Sequence, residues 1–178
     1  MTALLYQTLT TPDGPFTVIE SQDGTVRASG WSDDLASVSR RAALPDDSLR
    51  ASARTPAAEA VRAYYDGEFA AIGGVSVRQN GTALQNAVWE QLRAIAPGEP
   101  LTYAQLAEKI GRPRAFRAVA GACGRNAIAL FVPCHRVVAS DGKLAGFAWS
   151  VTTKARLLDR EAGLTSQETG AQPRDQYR

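Results

Sequence analysis

Apolar and polar positions alternate with the period of strands through the first thirty residues, and beyond residue 80 they follow the period of helices. Segments 4–10, 16–20 and 25–31 carry the strand pattern, with turn signals at Pro12-Asp13-Gly14 and Asp23-Gly24 between them, so a three-strand meander is predicted. Residues 32–54 are polar and irregular, and no element is predicted there. Thr55 and Pro56 suit the N-cap and first position of a helix. Ala57, Ala58, Val61, Tyr64 and Tyr65 then fall on one stripe, and Gly67 ends it. An α+β domain over residues 1–80 follows.

Leu84, Val88, Leu92 and Ile95 share a helical stripe that Pro97-Gly98 interrupts. A second helix opens at Thr102, whose capping box with Gln105 puts Tyr103 at the first helical position, and Gly111 stops it after about Ile110. Pro113 is expected to start a third helix reaching about Gly124, so residues 102–124 have the layout of a helix-turn-helix. A last helix starts near Ser150 and ends before Gly163. Residues 81–164 therefore read as a second, all-α domain. The tail 165–178 has almost no apolar residues and is expected to be disordered.

On the third helix, Phe116, Val119 and Cys123 cluster on one side, the packing side, while Arg114, Arg117, Gly121, Gly124 and Arg125 cluster roughly opposite. Glycine within a helix costs about 1 kcal/mol against alanine, so two on a bare, basic stripe suggest the close approach of another backbone. A DNA phosphate backbone and a helix–helix contact both fit. Cys123, on the packing side, reads as a buried and inert thiol. On the last helix, Val151, Lys154, Leu157, Leu158 and Glu161 share a stripe, which sets a carboxylate on a face that should be buried. Its partner is either Lys154, two turns earlier, or His135.

The net charge of +2 implies no partner by itself, but its distribution is uneven. Lys109, Arg112, Arg114, Arg117, Arg125 and Arg136 occur with no Asp or Glu between them, a local cationic surface. Two cysteines and one histidine, without C-x-x-C or H-x-x-x-H spacing, cannot build a four-ligand zinc site unaided, so no metal or cofactor is predicted. Neither a leader pattern nor an apolar run of about eighteen residues is present, so no membrane association is expected and the thiols should sit reduced in the cytoplasm.

The cationic run leads into Phe131-Val132-Pro133-Cys134-His135-Arg136-Val137-Val138, where one of the two cysteines adjoins the only histidine. The thiolate is the nucleophilic form of cysteine, and imidazole can take its proton near neutral pH. Sequence neighbours do not face each other, so either the turn is tight or a water bridges the two side chains. If Glu161 accepts the other imidazole N–H, it fixes the tautomer and supports an imidazolium. Two substrate classes stay open. A hydrolase would direct the thiolate at a carbonyl, and an alkyl acceptor would direct it at a saturated carbon and be consumed by the thioether. The basic helix-turn-helix favours the second, with DNA as partner.

On these residues the chain closely resembles the O6-alkylguanine-DNA alkyltransferases, the methylated-DNA–protein-cysteine methyltransferases. The resemblance covers about residues 4–163 and rests on Pro133-Cys134-His135-Arg136-Val137-Val138, Arg117-Ala118-Val119-Ala120-Gly121-Ala122, Arg125-Asn126, Thr102-Tyr103-Ala104-Gln105-Leu106-Ala107 and Val88-Trp89-Glu90-Gln91-Leu92. Gly146-Phe147-Ala148-Trp149-Ser150 followed by Lys154 looks most like the C-terminal domain of the bacterial adaptive-response alkyltransferase. The resemblance implies a ribonuclease H-like α/β N-terminal domain and a winged-helix-like helix-turn-helix domain. It implies single-turnover transfer of the alkyl group from O6-methylguanine, and more weakly O4-methylthymine, in double-stranded DNA to Cys134.

By the same resemblance His135 acts as base through water and Glu161 orients it. Asn126 holds the active-site turn, and Tyr103 hydrogen-bonds guanine N3. Arg117 fills the gap left by the flipped nucleotide in the minor groove, with Thr102, Arg114, Gly121 and Arg125 also on the DNA face. Val137, Phe147, Ala148 and Trp149 line the base pocket, where the carbonyls of Cys134 and Val137 accept from the guanine amine and the Ala148 amide lies near O6. The loop 148–150 departs from the hydroxyl-bearing or glycine-rich stretch of many members, so a tighter pocket is expected. A monomer is expected, nucleoid-associated, with cooperativity along DNA left open.

Overall fold

The computed structural model describes residues 2–144 and 146–164. The tail 165–178, expected to be disordered, lies outside the described residues. The described residues form two compact units, residues 2–80 with 126–132, and residues 81–125 with 133–164.

In the first unit, β1 (Leu4–Thr11) and β2 (Gly14–Ser21) form an antiparallel hairpin, and β2 pairs antiparallel with β3 (Val26–Gly30) across an irregularity at Ile19/Glu20. This is the meander that the turn signals predict. Residues 32–54 are not irregular throughout. They contain α1 (Leu35–Arg41), capped by the Asp34 side chain on the Ala36 N–H, and β4 (Leu49–Ala51), which pairs parallel with β1 to give the sheet order β3-β2-β1-β4. The periodicity conceals α1 because it buries only Val38 and Ser39, too few apolar positions to write a stripe. It conceals β4 because three residues acquire strand identity only through a distant partner. Helix α2 (Pro56–Tyr65) starts as expected, with the Thr55 side chain accepting from the Ala58 N–H, and buries Ala57, Ala58, Val61 and Tyr64.

The second expected domain is not continuous. Residues 126–132 belong to the first unit, where Ser29 on β3 receives them: the Ser29 N–H donates to the Ala127 carbonyl (3.0 Å), the Ala129 N–H donates back to the Ser29 carbonyl (3.1 Å), and Ser29 Oγ donates to the Ala129 carbonyl (2.8 Å). Leu130 in this segment is buried with φ +73°. A left-handed backbone at a bulky residue is strained by about 1–3 kcal/mol and persists only where its surroundings enforce it.

In the second unit, α3 (Ala83–Arg93), α4 (Tyr103–Lys109), α5 (Phe116–Gly124) and α6 (Val151–Glu161) bury Val88, Trp89, Leu92, Leu106, Ala107, Val119, Ala122, Leu157 and Leu158. Trp89 Nε1 donates to the Ala122 carbonyl (2.9 Å), fixing α3 against α5. Capping boxes at Thr82/Gln85 and Thr102/Gln105 open α3 and α4. Gly111, at φ +74°, ends the α4 segment while the Arg112 N–H donates to the Ala107 carbonyl (2.9 Å). Helix α5 then begins at Phe116, not at Pro113. The Ala115 N–H first closes a turn onto the Arg112 carbonyl, and only from Ala115 on do the carbonyls accept in helical register.

The unit is also not all-α. Strands β5 (Leu101–Thr102) and β6 (Val137–Val138) pair in parallel, Leu101 with Val137 and Thr102 with Val138. The pairing sets the residues just after Cys134-His135-Arg136 beside the residues just before Tyr103. Among the described residues no helix is long and apolar enough to cross a membrane, and no group of three or more His, Cys, Asp or Glu side chains is placed to hold a metal ion.

Candidate active site

Pro133, at φ −80° and ψ 66°, leads into a single 3-10 turn, Cys134–Arg136, between the 126–132 segment and β6. The turn leaves Cys134 half-buried and takes His135 and Arg136 into the interior. From the far end of the unit, α6 brings Glu161. Gly98 makes that approach feasible, since at φ +81° it stands so near the end of α6 that a Cβ there would lie 3.0 Å from the Glu161 carbonyl oxygen.

The Glu161 carboxylate is fully enclosed and triply engaged. Oε1 lies 2.7 Å from His135 Nε2, Arg136 Nε donates to Oε2 (2.9 Å), and Arg136 Nη2 donates to Oε1 (2.9 Å), while Arg136 Nη1 donates to the Ile95 carbonyl (2.8 Å). Burial alone would push the Glu161 carboxyl up, but His135 and Arg136 hold it down at about 2. For His135, burial dominates and lowers its pKa, with Glu161 opposing and Arg136 and Lys154 assisting. The imidazole is therefore neutral near neutral pH, and its contact with Glu161 is an N–H···O⁻ hydrogen bond that becomes an ion pair only when the ring takes a proton.

That assignment fixes the tautomer. An ionised carboxylate only accepts, so Nε2 carries the proton and Nδ1 bears the lone pair. Nδ1 is buried and has no hydrogen-bond partner among the described residues. His135 therefore makes no direct hydrogen bond to Cys134, and it keeps an acceptor ready for a water in between.

Of the two candidate partners for Glu161, the helix-spacing choice, Lys154, is not the one. Lys154 is 1% exposed, and its Nζ lies 5.9 Å from the centroid of the Tyr103 ring. Burial lowers its pKa, while the nearby Cys134 and Cys123 oppose that fall. Cys123 is buried, as its helix face predicts, and burial raises its thiol to about 12, with Cys134 adding to the rise and Lys154 opposing it. Tyr103, half-buried at the start of α4, is raised to about 12 by burial and by the two thiols, so it stays a hydroxyl donor at neutral pH. A Cβ on Gly146 would lie 3.7 Å from its hydroxyl oxygen, so the backbone that precedes Phe147, Ala148 and Trp149 passes beside Tyr103. Phe147 and Trp149 are half-buried, Ala148 is exposed, and Val137 is fully buried.

Asn126 belongs to the first unit. Its Nδ2 donates to the Val132 carbonyl (2.8 Å), and its Oδ1 accepts from the Ile128 N–H and from Gln79 Nε2, both at 3.0 Å. It thus shapes the loop that ends one residue before Pro133-Cys134.

Arg117, Gly121 and Gly124 on α5 and the flanking Arg114 and Arg125 are exposed, and a Cβ on Gly121 or Gly124 would meet nothing within 4 Å. Thr102 is half-exposed, its hydroxyl accepting the Gln105 N–H (3.1 Å). Phe116 corrects the expected packing side: it is 47% exposed, with the Arg117 guanidinium 5.9 Å from its ring centroid. A helical side chain leans toward the N-terminus, so one at the first position leans past the end of its own helix, where the packed stripe has stopped. Sequence reasoning also left Arg136 without a role. The signal was available, since an arginine inside the apolar run Phe131–Val138 needs a buried acid as much as Glu161 needs a base.

The 6-O-methylguanine DNA methyltransferase, DNA binding domain family matches residues 83–163. The bifunctional transcriptional activator/DNA repair enzyme Ada of Escherichia coli is 56% identical over 82 residues, 46% of this chain but only 23% of that protein. The methylated-DNA–protein-cysteine methyltransferase of Shigella flexneri is 36% identical over 172 residues, covering 92% of this chain and 99% of that protein. Among solved structures, the Mycobacterium tuberculosis O6-methylguanine methyltransferase superposes with a TM-score of 0.75 at 32% identity, over 93% of this chain and 95% of that one. The same organism's OGT in complex with DNA gives 0.75 at 28% identity, over 93% and 98%. With a relative matched along nearly its whole length and the family's DNA binding domain recognised at residues 83–163, this chain belongs to the methylated-DNA–protein-cysteine methyltransferase family.

Proposed function

We propose that this protein repairs O6-alkylguanine in double-stranded DNA by direct reversal, moving the alkyl group to Cys134 once per molecule, with O4-methylthymine as a weaker substrate. The observation that carries the reading is the buried, neutral His135, whose Nε2–H is taken by Glu161 and whose Nδ1 has no partner among the described residues, one residue from a half-buried thiol. The Cys134 proton passes through a water to Nδ1, and the Glu161 carboxylate stabilises the imidazolium that forms. The thiolate sulfur attacks the alkyl carbon, the carbon–O6 bond breaks, and its electron pair leaves with the guanine. Tyr103, held as a neutral donor, hydrogen-bonds N3 as that charge develops. The product thioether has no leaving group that water can displace, so the site is spent.

The cationic, glycine-bare face of α5 supports the rest: Arg114 and Arg125 on phosphates, Gly121 and Thr102 close to the backbone, and Arg117 in the space of the flipped nucleotide. The pocket is assigned to Val137, Phe147, Ala148 and Trp149, and Asn126 to holding the loop that delivers Cys134. A ribonuclease H-like first unit, a winged-helix-like second unit and a nucleoid-associated cytoplasmic location complete the reading, supported by family membership.

Incubation with a duplex carrying labelled methyl on guanine O6 should label Cys134 in a one-to-one ratio and leave Cys134→Ser unlabelled. Repeated turnover, or duplex binding with no transfer, would overturn the proposal.

A further inference from the structure

We infer that Phe116 is a second, apolar DNA-contact residue, one that packs into the minor groove at the base step beside the nucleotide displaced by Arg117. The inference rests on the repair reading above and extends it to a residue that chemistry on Cys134 does not require. Among the described residues Phe116 is the large hydrophobic side chain that stands exposed, at 47%. It does so at the first position of the helix whose buried residues are Val119, Ala122 and Cys123.

Its surroundings select the partner. Arg112, Arg114, Arg117 and Arg125 are all exposed, and no Asp or Glu occurs between Lys109 and Arg136. An aromatic ring set among cations suits a polyanion that also offers flat apolar faces, which describes nucleic acid: phosphates for the arginines, and deoxyribose or a base edge for the ring. Apolar wedges that part base steps are a general device of minor-groove binders.

The contact with Arg117 gives the residue a second use. In the free protein the guanidinium rests over the Phe116 ring, 5.9 Å from its centroid, which holds the arginine against its own helix. When the duplex arrives, Arg117 leaves the ring for the stack, and the uncovered ring takes the adjacent sugar and base edge. The two side chains thus exchange a contact with each other for contacts with DNA.

The test compares methyl transfer from O6-methylguanine in a duplex and in a single-stranded oligonucleotide, for the wild type, Phe116→Ala and Phe116→Leu, with thermal melting as a folding control. Phe116→Ala should lose about tenfold on the duplex and less than about twofold on the single strand, which has no groove. Phe116→Leu should recover most of the duplex rate. The salt dependence of duplex binding should be unchanged in both variants, because an apolar contact releases no counterions. An unaltered duplex rate in Phe116→Ala, or equal slowing on both substrates, overturns the inference while leaving the repair reading intact. No transfer from either substrate by the wild type would instead overturn the repair reading.

Discussion

Replacing Glu161 by glutamine tests both what holds the second unit together and what tunes its histidine. In the folded protein the carboxyl sits at about 2 against an ordinary 4.5, a difference worth about 3 kcal/mol of folding free energy at neutral pH. The amide also leaves the Arg136 guanidinium, 4% exposed, without its counter-charge, and stranding one member of a buried pair costs about 3–5 kcal/mol. The two routes agree, and at about 2–4 °C per kcal/mol the melting midpoint should fall by roughly 6–20 °C. The sign against pH is fixed. A depressed carboxyl contributes stability above its unfolded value and loses it as pH falls toward its folded one, so the gap between wild type and variant should close between pH 4.5 and about 2. At a temperature where the variant is folded, single-turnover transfer should drop by about 10²–10⁴-fold, because the imidazolium that forms loses the anion that stabilises it. A variant that melts within about 2 °C of wild type and transfers within a few-fold would refute the argument.

Three further outcomes follow from the same geometry. The transfer rate should fall on acidification only below the usual histidine range, since burial depresses His135 and the neutral ring is the base; Arg136→Met, which removes a cation that lowers that pKa, should move the acid limb to higher pH in a rate profile. Lys154→Met should not lower the melting midpoint, because it replaces a buried ammonium by an apolar side chain, yet it should slow both transfer and iodoacetamide alkylation of Cys134 at neutral pH by at least about tenfold, as expected when a cation close to a thiolate is removed. Gly121→Ala should stabilise the protein by up to about 1 kcal/mol, since its Cβ meets nothing within 4 Å on a helix, while weakening duplex binding measured by anisotropy.

Much of this protein is legible in its local sequence. The β1–β2 turn, the Thr55-Pro56 start of α2, the Thr102/Gln105 capping box and the Ser150 cap of α6 are all written in residues a few positions apart, and hydrogen bonds of that range are favoured by the local residues themselves. The stripe on α6 demanded that Glu161 have a partner, and the Cys134-His135 pair demanded a base that could reach past its neighbour. What stayed hidden needed distant groups: β4, which is a strand only because β1 is beside it; β5 with β6, which makes the second unit more than helices; and the return of residues 126–132 to the edge of β3.

The sequence by itself determined the Cys134-His135 pair, most of the helices of the second unit to within a few residues and the need for a buried counter-ion, because short-range hydrogen bonds and apolar period are properties of neighbouring residues. Only the tertiary structure decided that Glu161 serves His135 and Arg136 while Lys154 turns to Tyr103. It also decided that Phe116 is left outside the core. Helix period says which residues share a face, but which charge meets which, and where a face runs out of neighbours, depends on how the helices dock.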